Sequence, residues 1–181
     1  MKPILGEING EYLEDILHVA ADQTETVWAA VAYATDDRLF KWAYKKNIPV
    51  KFWGRWDAGY CVRPEIAQWF INRRNANYQC FFLTHYHPKV IWWRGFGVYF
   101  GSANLTDAAW YGNVEAGVFL TEDEIDEQEM RGTLEHFFSK IREHAFPVST
   151  EIVKELERRR SRDSTNKKQA EDDNRAFATK G

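Results

Sequence analysis

Residues 85–104 read HYHPKVIWWRGFGVYFGSAN, and this stretch decides the fold. His87-Pro88-Lys89 opens an apolar run, Arg94-Gly95 interrupts it, and a second apolar run ends in Gly101-Ser102-Ala103-Asn104. Short runs of Val, Ile, Trp, Tyr and Phe suit strands, and a Gly-containing break between two of them suits a tight turn. On a strand alternate side chains share a face, so His87 and Lys89 point the same way. The hairpin then returns Ser102 and Asn104 to the His87 end. An imidazole, an ammonium, a hydroxyl and an amide converge where a tetrahedral anion could sit, and Gly101 lets backbone approach it.

Outward from the hairpin, strands and helices alternate. Residues 26–34 (TVWAAVAYA) form a continuous apolar run, as a strand buried on both faces would. Residues 48–53 and 78–83 read as further strands, and residues 114–120 as the last. Helical spacing places Leu13, Ile16, Leu17 and Ala20 on one face of a first helix. Thr35 is the expected cap of a second, and Pro64 the first residue of a third. Thr121 and Glu124 make a capping box, opening a helix expected to run to Phe146-Pro147. Another helix starts at Ser149 or Thr150. Beyond Ser164 the chain is polar and mixed in charge, and fraying is expected there. The pattern predicts an α/β layered sandwich with a mixed, mainly parallel sheet flanked by helices. Residues 1–147 would be the functional domain, and 148–181 a helix with a flexible or partner-binding tail.

Charge excludes a uniformly basic nucleic-acid binder, since the net is −3 over 181 residues. Residues 1–120 carry 12 basic and 12 acidic side chains, whereas residues 121–148 carry 3 and 8. The acidity therefore belongs to one helix, where first-turn carboxylates complement the helix dipole. No apolar run of membrane-spanning length occurs, and residues 1–10 lack a charged-then-apolar leader pattern. The expectation is a soluble cytoplasmic protein with no membrane contact. Cys61 and Cys80 match no metal or disulfide spacing and read as reduced, partly buried thiols.

HxK followed at this distance by GSxN resembles the signature of the phospholipase D-like (HKD) superfamily. Glu115, thirteen residues after Ser102, matches the acidic residue of its nuclease branch. The superfamily's aspartate, seven after the histidine, is Arg94 here, which weighs against a lipid enzyme more than against a nuclease. The resemblance implies a two-step displacement needing no metal or other cofactor. His87 attacks phosphorus to form a phosphohistidine, and a second histidine protonates the leaving oxygen. Lys89 and Asn104 stabilise the non-bridging oxygens. Glu115 orients His87, and Ser102 holds Glu115 or the phosphate. This chain has a single motif, and short members of the superfamily pair two chains, so the resemblance implies a homodimer with one shared site.

Other residues have plainer readings beside their functional ones. His85 and His87 could both face a metal, but Lys89 would repel a cation, and no metal site is expected. Trp92 and Trp93 read as packing into opposite layers, with one of the two available to a dimer interface. Tyr33 is either a pocket wall or core. Lys45 to Arg74 interleave basic residues with Trp53, Trp56 and Tyr60, a composition that suits nucleic acid as well as a solvated helix end. Within it Arg55 and Trp53 are the expected substrate contacts. The leading expectation is a metal-independent DNA endonuclease, DNA being favoured over RNA. By analogy it would be the nuclease subunit of a bacterial antiphage defence or restriction system, working with a helicase or ATPase. The alternatives are a non-catalytic dimeric binding module and a phospholipase or phosphatidyl transferase.

Overall fold

A computed structural model describes residues 1–57, 59–73, 75 and 77–178, with side chains described to residue 165. The strands are β1 Lys2–Ile4, β2 Thr26–Val31, β3 Val50–Arg55, β4 Tyr78–Leu83, β5 Lys89–Arg94, β6 Gly97–Gly101, β7 Gly117–Thr121 and β8 Phe146–Pro147. The helices are α1 Leu13–Ala20, α2 Arg38–Lys45, α3 Pro64–Asn72, α4 Asp107–Tyr111, α5 Glu122–Glu127, α6 Arg131–His144 and α7 Thr150–Ala178.

All eight strands form one sheet in the order β1-β7-β6-β5-β2-β3-β4-β8. The sheet is mixed, as expected, but not mainly parallel. Only β2–β3 and β3–β4 pair in parallel, and the other five pairings are antiparallel. The short turn between β5 and β6 can join only antiparallel neighbours, whereas β6 and β7 pair antiparallel across a longer connection that contains α4.

Helices cover both faces. On one, α1, α2, α3, α4 and the first turns of α7 pack on Ala29, Phe52, Ile91 and Trp93. On the other, α5 and α6 pack on Ala30, Trp53, Trp92 and Val98. Strand alternation thus sends Trp92 and Trp93 into opposite layers, both with no exposed surface, so neither is available to a dimer interface. Trp28, Trp53, Trp92 and Phe138 form an aromatic cluster with centroids 5.2–6.2 Å apart, mostly edge to face.

Local chemistry explains several boundaries that differ from the sequence reading. The α2 helix begins after Asp37, not Thr35, because the Thr35 and Asp36 amides are spent on the Leu105 carbonyl. The Thr121–Glu124 capping box forms as predicted. The helix it opens stops at Glu127, and Glu129 then takes a left-handed φ of 55° before α6 starts. Strand β7 begins at Gly117, which leaves Glu115 on the loop ahead of it. Helix α7 spans Thr150–Ala178. Its Val153 and Leu156 belong to the same core as residues of 1–147.

Candidate functional site

Sheet order brings five chain segments to one edge. The ends of parallel β2, β3 and β4 meet the start of antiparallel β5 and the end of β6. Register places Val31 beside Lys89, Arg55 beside Leu83, and Val90 beside Phe100. In open α/β sheets ligands gather beyond the carboxyl ends of the parallel strands, and here this is where the motif residues sit.

His87 precedes β5 rather than lying on it, and its side chain is exposed. The Lys89 Nζ lies 3.1 Å from His87 Nδ1 and 3.3 Å from the His87 carbonyl, so the pair is joined by geometry and not only by sequence. Tyr33, just past β2, meets the His87 ring edge-on at a centroid distance of 6.1 Å. Its other contacts are with the core, so it packs on both. Partial burial lowers the Lys89 ammonium below the usual lysine range; Glu115 opposes that shift and Arg55 adds to it.

Ser102 Oγ donates to Glu115 and accepts the Ala116 amide at 2.9 Å. The Asn113 amide donates to the other Glu115 oxygen at 3.4 Å. Ser102 and Asn113 hold the Glu115 carboxylate, and among the described residues no hydrogen bond joins it to His87. Asn104 Oδ1 is buried without a partner, while its backbone carbonyl accepts Trp110 Nε1 at 3.1 Å. A buried amide oxygen left unpaired is costly, and a turned amide or an arriving ligand would relieve it.

Arg55 reaches the same edge from β3, ion-paired with Asp57. Asp57 also accepts the His85 amide at 3.0 Å, fixing His85 at a left-handed φ of 51°. Hydrogen bonding from His85 and then from Arg55 keeps Asp57 below the usual carboxylate range despite some desolvation. Trp53 is a correction. It is 1% exposed, packed between Phe81 and Phe138 on the far layer, and cannot stack on a substrate. Arg94 is remote as well, lying over Trp28 and Trp92 and pairing with Glu135. Arg74 lies outside the described residues. The sequence reading missed Asp57 and Asn113, whose roles come from contacts that no local pattern announces. Among the described residues no three His, Cys, Asp or Glu side chains gather in an arrangement able to hold a metal. No described helix is long and apolar enough to cross a membrane.

No family model matches this sequence, and no curated protein does. Solved structures do. NucT from Helicobacter pylori is similar at 17% identity and a TM-score of 0.59, over 75% of this chain and 89% of that one. Nuc from Salmonella typhimurium, a phospholipase D family member, is similar at 19% identity and a TM-score of 0.55, over 81% of this chain and 97% of that one. A phosphatidylserine synthase from Haemophilus influenzae Rd KW20 gives 16% identity and a TM-score of 0.61, over 91% of this chain and 46% of that one. The chain has the phospholipase D-like fold.

Proposed function

We propose that this chain is a metal-independent phosphodiesterase that cuts DNA through a phosphohistidine, at a site completed by a second copy. The observation that carries the reading is the pairing of an exposed His87 with Lys89 at 3.1 Å, on the edge where Asn104 and the Ser102–Glu115 pair also emerge. A phosphodiester arriving there would draw Lys89 off the imidazole as its counter-ion, freeing a ring nitrogen to attack. The P–N bond forms as the P–O bond to the leaving strand breaks, and the leaving oxygen takes a proton from a second imidazolium. Water then attacks phosphorus, gives its proton to that imidazole, and the P–N bond breaks. Lys89 and Asn104 stabilise the charge on the non-bridging oxygens throughout.

One chain supplies one such histidine, and the exposure of His87 leaves room for its counterpart. The second imidazole is therefore His87 of another protomer, related by a two-fold axis. By analogy the protein would serve in a bacterial defence or restriction system, with α7 as the docking element for a helicase or ATPase.

A lipid-headgroup reading has one observation in its favour, the likeness over 91% of this chain to a phosphatidylserine synthase. Its test is the same experiment with anionic vesicles in place of DNA. Plasmid and single-stranded DNA incubated in EDTA are expected to be cut, and His87→Ala to lower the rate at least about 10³-fold. Activity that appears only on adding magnesium or manganese would overturn the phosphohistidine route. Hydrolysis of vesicle lipid without DNA cleavage would favour the lipid reading.

A further inference from the structure

A second cluster of cations lies away from the His87 edge, on the face of the sheet that α6 covers. Trp28 pairs with Lys51 on β3 and with Trp92 on β5, three residues before Val31, the partner of Lys89. That is about 10 Å along the strand from the catalytic edge. Here a pocket of about 110 Å³ has Trp28, Lys51, Trp53, Glu135, Ser139 and Arg142 among its walls.

Its charges do not balance. Lys51 Nζ lies 5.0 Å over the Trp28 ring, Arg94 Cζ lies 4.5 Å from the same ring, and Arg142 joins Lys51 in the wall. One carboxylate lines the pocket, Glu135, and Arg94 holds it at 3.1 Å. The next carboxylate along α6, Glu143, is held by Lys140 at 3.0 Å. Lys51 and Arg142 have no ion pair among the described residues. Burial lowers the Lys51 ammonium below the usual lysine range, and the two neighbours that add to the shift, Arg142 and then Arg94, are cations.

The neutral groups are donors as well. Ser139 contributes a hydroxyl, and Trp53, only 1% exposed, carries an Nε1–H buried without a partner. A buried N–H with no acceptor is costly, and so is a half-buried ammonium with no counter-ion. One oxyanion in the pocket would relieve both.

We propose that the pocket between β2, β3 and α6 binds a phosphate group, held by Lys51, Arg142 and the Trp53 indole N–H. Its volume is the room of roughly four waters at about 30 Å³ each, which suits one tetrahedral oxyanion and leaves no space for a nucleoside. Anything that carries the phosphate stays outside. Arg94, tied to Glu135, strengthens the positive field without needing to touch the ligand. The site is separate from the catalytic edge and does not depend on the nuclease reading. The plainer role for Lys51 and Arg94 is to stack on Trp28, and that role predicts no effect of phosphate.

The test follows the Trp53 indole proton by NMR in the full chain, assigned with Trp53→Phe. Titration with inorganic phosphate, at ionic strength held constant with sodium chloride, should move that signal saturably. Lys51→Met keeps the apolar stem over Trp28, and Arg142→Gln changes an exposed position, so both should fold; the dispersion of the remaining indole signals reports whether they do. Each should raise the half-saturating phosphate concentration roughly tenfold, the loss of one charge-assisted hydrogen bond. Lys89→Met should leave it unchanged, because that lysine belongs to the other edge. The proposal is overturned by a Trp53 signal that ignores phosphate, that chloride moves equally, that moves alike in the parent and both pocket variants, or that Lys89→Met silences. A deoxynucleoside 5′-monophosphate that saturates at a lower concentration than inorganic phosphate would assign the site to a phosphate borne by a larger molecule. The reverse order would assign it to the free ion.

Discussion

On the proposed mechanism Lys89 governs the alkaline limb of activity. Burial depresses its ammonium, Glu115 pulls the other way, and Arg55 depresses it further. The charged form is the one that holds an anion, so activity is lost as pH rises through a value below the ordinary lysine one. The alkaline limb of kcat/KM should therefore fall earlier than for an exposed lysine. Arg55→Gln removes one depressing cation and should move that limb to higher pH, which a pH–rate profile checks; a limb that stays in place would dissociate Arg55 from Lys89. Lys89→Met is expected to cost about 10²–10³-fold in kcat, the usual loss for one preorganised charge. These residues were legible because His87, Lys89, Ser102, Asn104 and Glu115 fall in one short stretch of chain. Asp57, Asn113 and Trp110 were not, since only folding brings them to those residues.

At the scale of elements, the GSxN turn is tight because of what surrounds it. A Cβ added at Gly101 would lie 2.7 Å from the Ala116 carbonyl and would collide with the Tyr99 hydroxyl, which accepts the Ala103 amide at 3.1 Å. Gly101→Ala should push Ser102 and Asn104 off their positions, lowering kcat more than stability; full activity with an unchanged melting temperature would contradict this. Element reading from sequence worked where a local device sets the boundary, as with Pro64 at the start of α3 and the Thr121 capping box. It failed where a distant partner sets it. The Thr35 amide went to Leu105, and the break after Glu127 needs a left-handed Glu129 that no glycine signals. Trp53 was misread for a related reason. With both faces of β3 covered, neither parity nor the neighbouring Arg55 tells which tryptophan is core.

At the scale of the molecule, the two layers and α7 share the load. Trp92 anchors the α6 layer with no exposed surface, and Trp92→Ala should destabilise by about 3–5 kcal/mol in denaturant titration. The first turns of helix α7 are packed into the domain they follow. Val153 and Leu156 enter the main core, and Arg159 lies 4.0 Å over the Trp56 ring while donating to the Asp57 carbonyl. Removing residues 149–181 uncovers that core and releases the loop that holds Arg55. The truncated chain should be less stable by roughly 3–6 kcal/mol in denaturant titration, given two large apolar side chains at about 1.5–3 kcal/mol each. The fold class was readable from alternation of periods, whereas the sense of strand pairing depended on β1–β7, β2–β5 and β4–β8, whose partners lie far apart along the chain.

The central claim is that His87 becomes bonded to phosphorus. Acid or alkaline quench of a single turnover on an end-labelled oligonucleotide, followed by peptide mapping, tests it most directly. The account predicts a covalent adduct on His87 that survives alkali, is lost in acid, and is absent in His87→Ala. Steady cleavage with no adduct on His87 at any time of quench would contradict it.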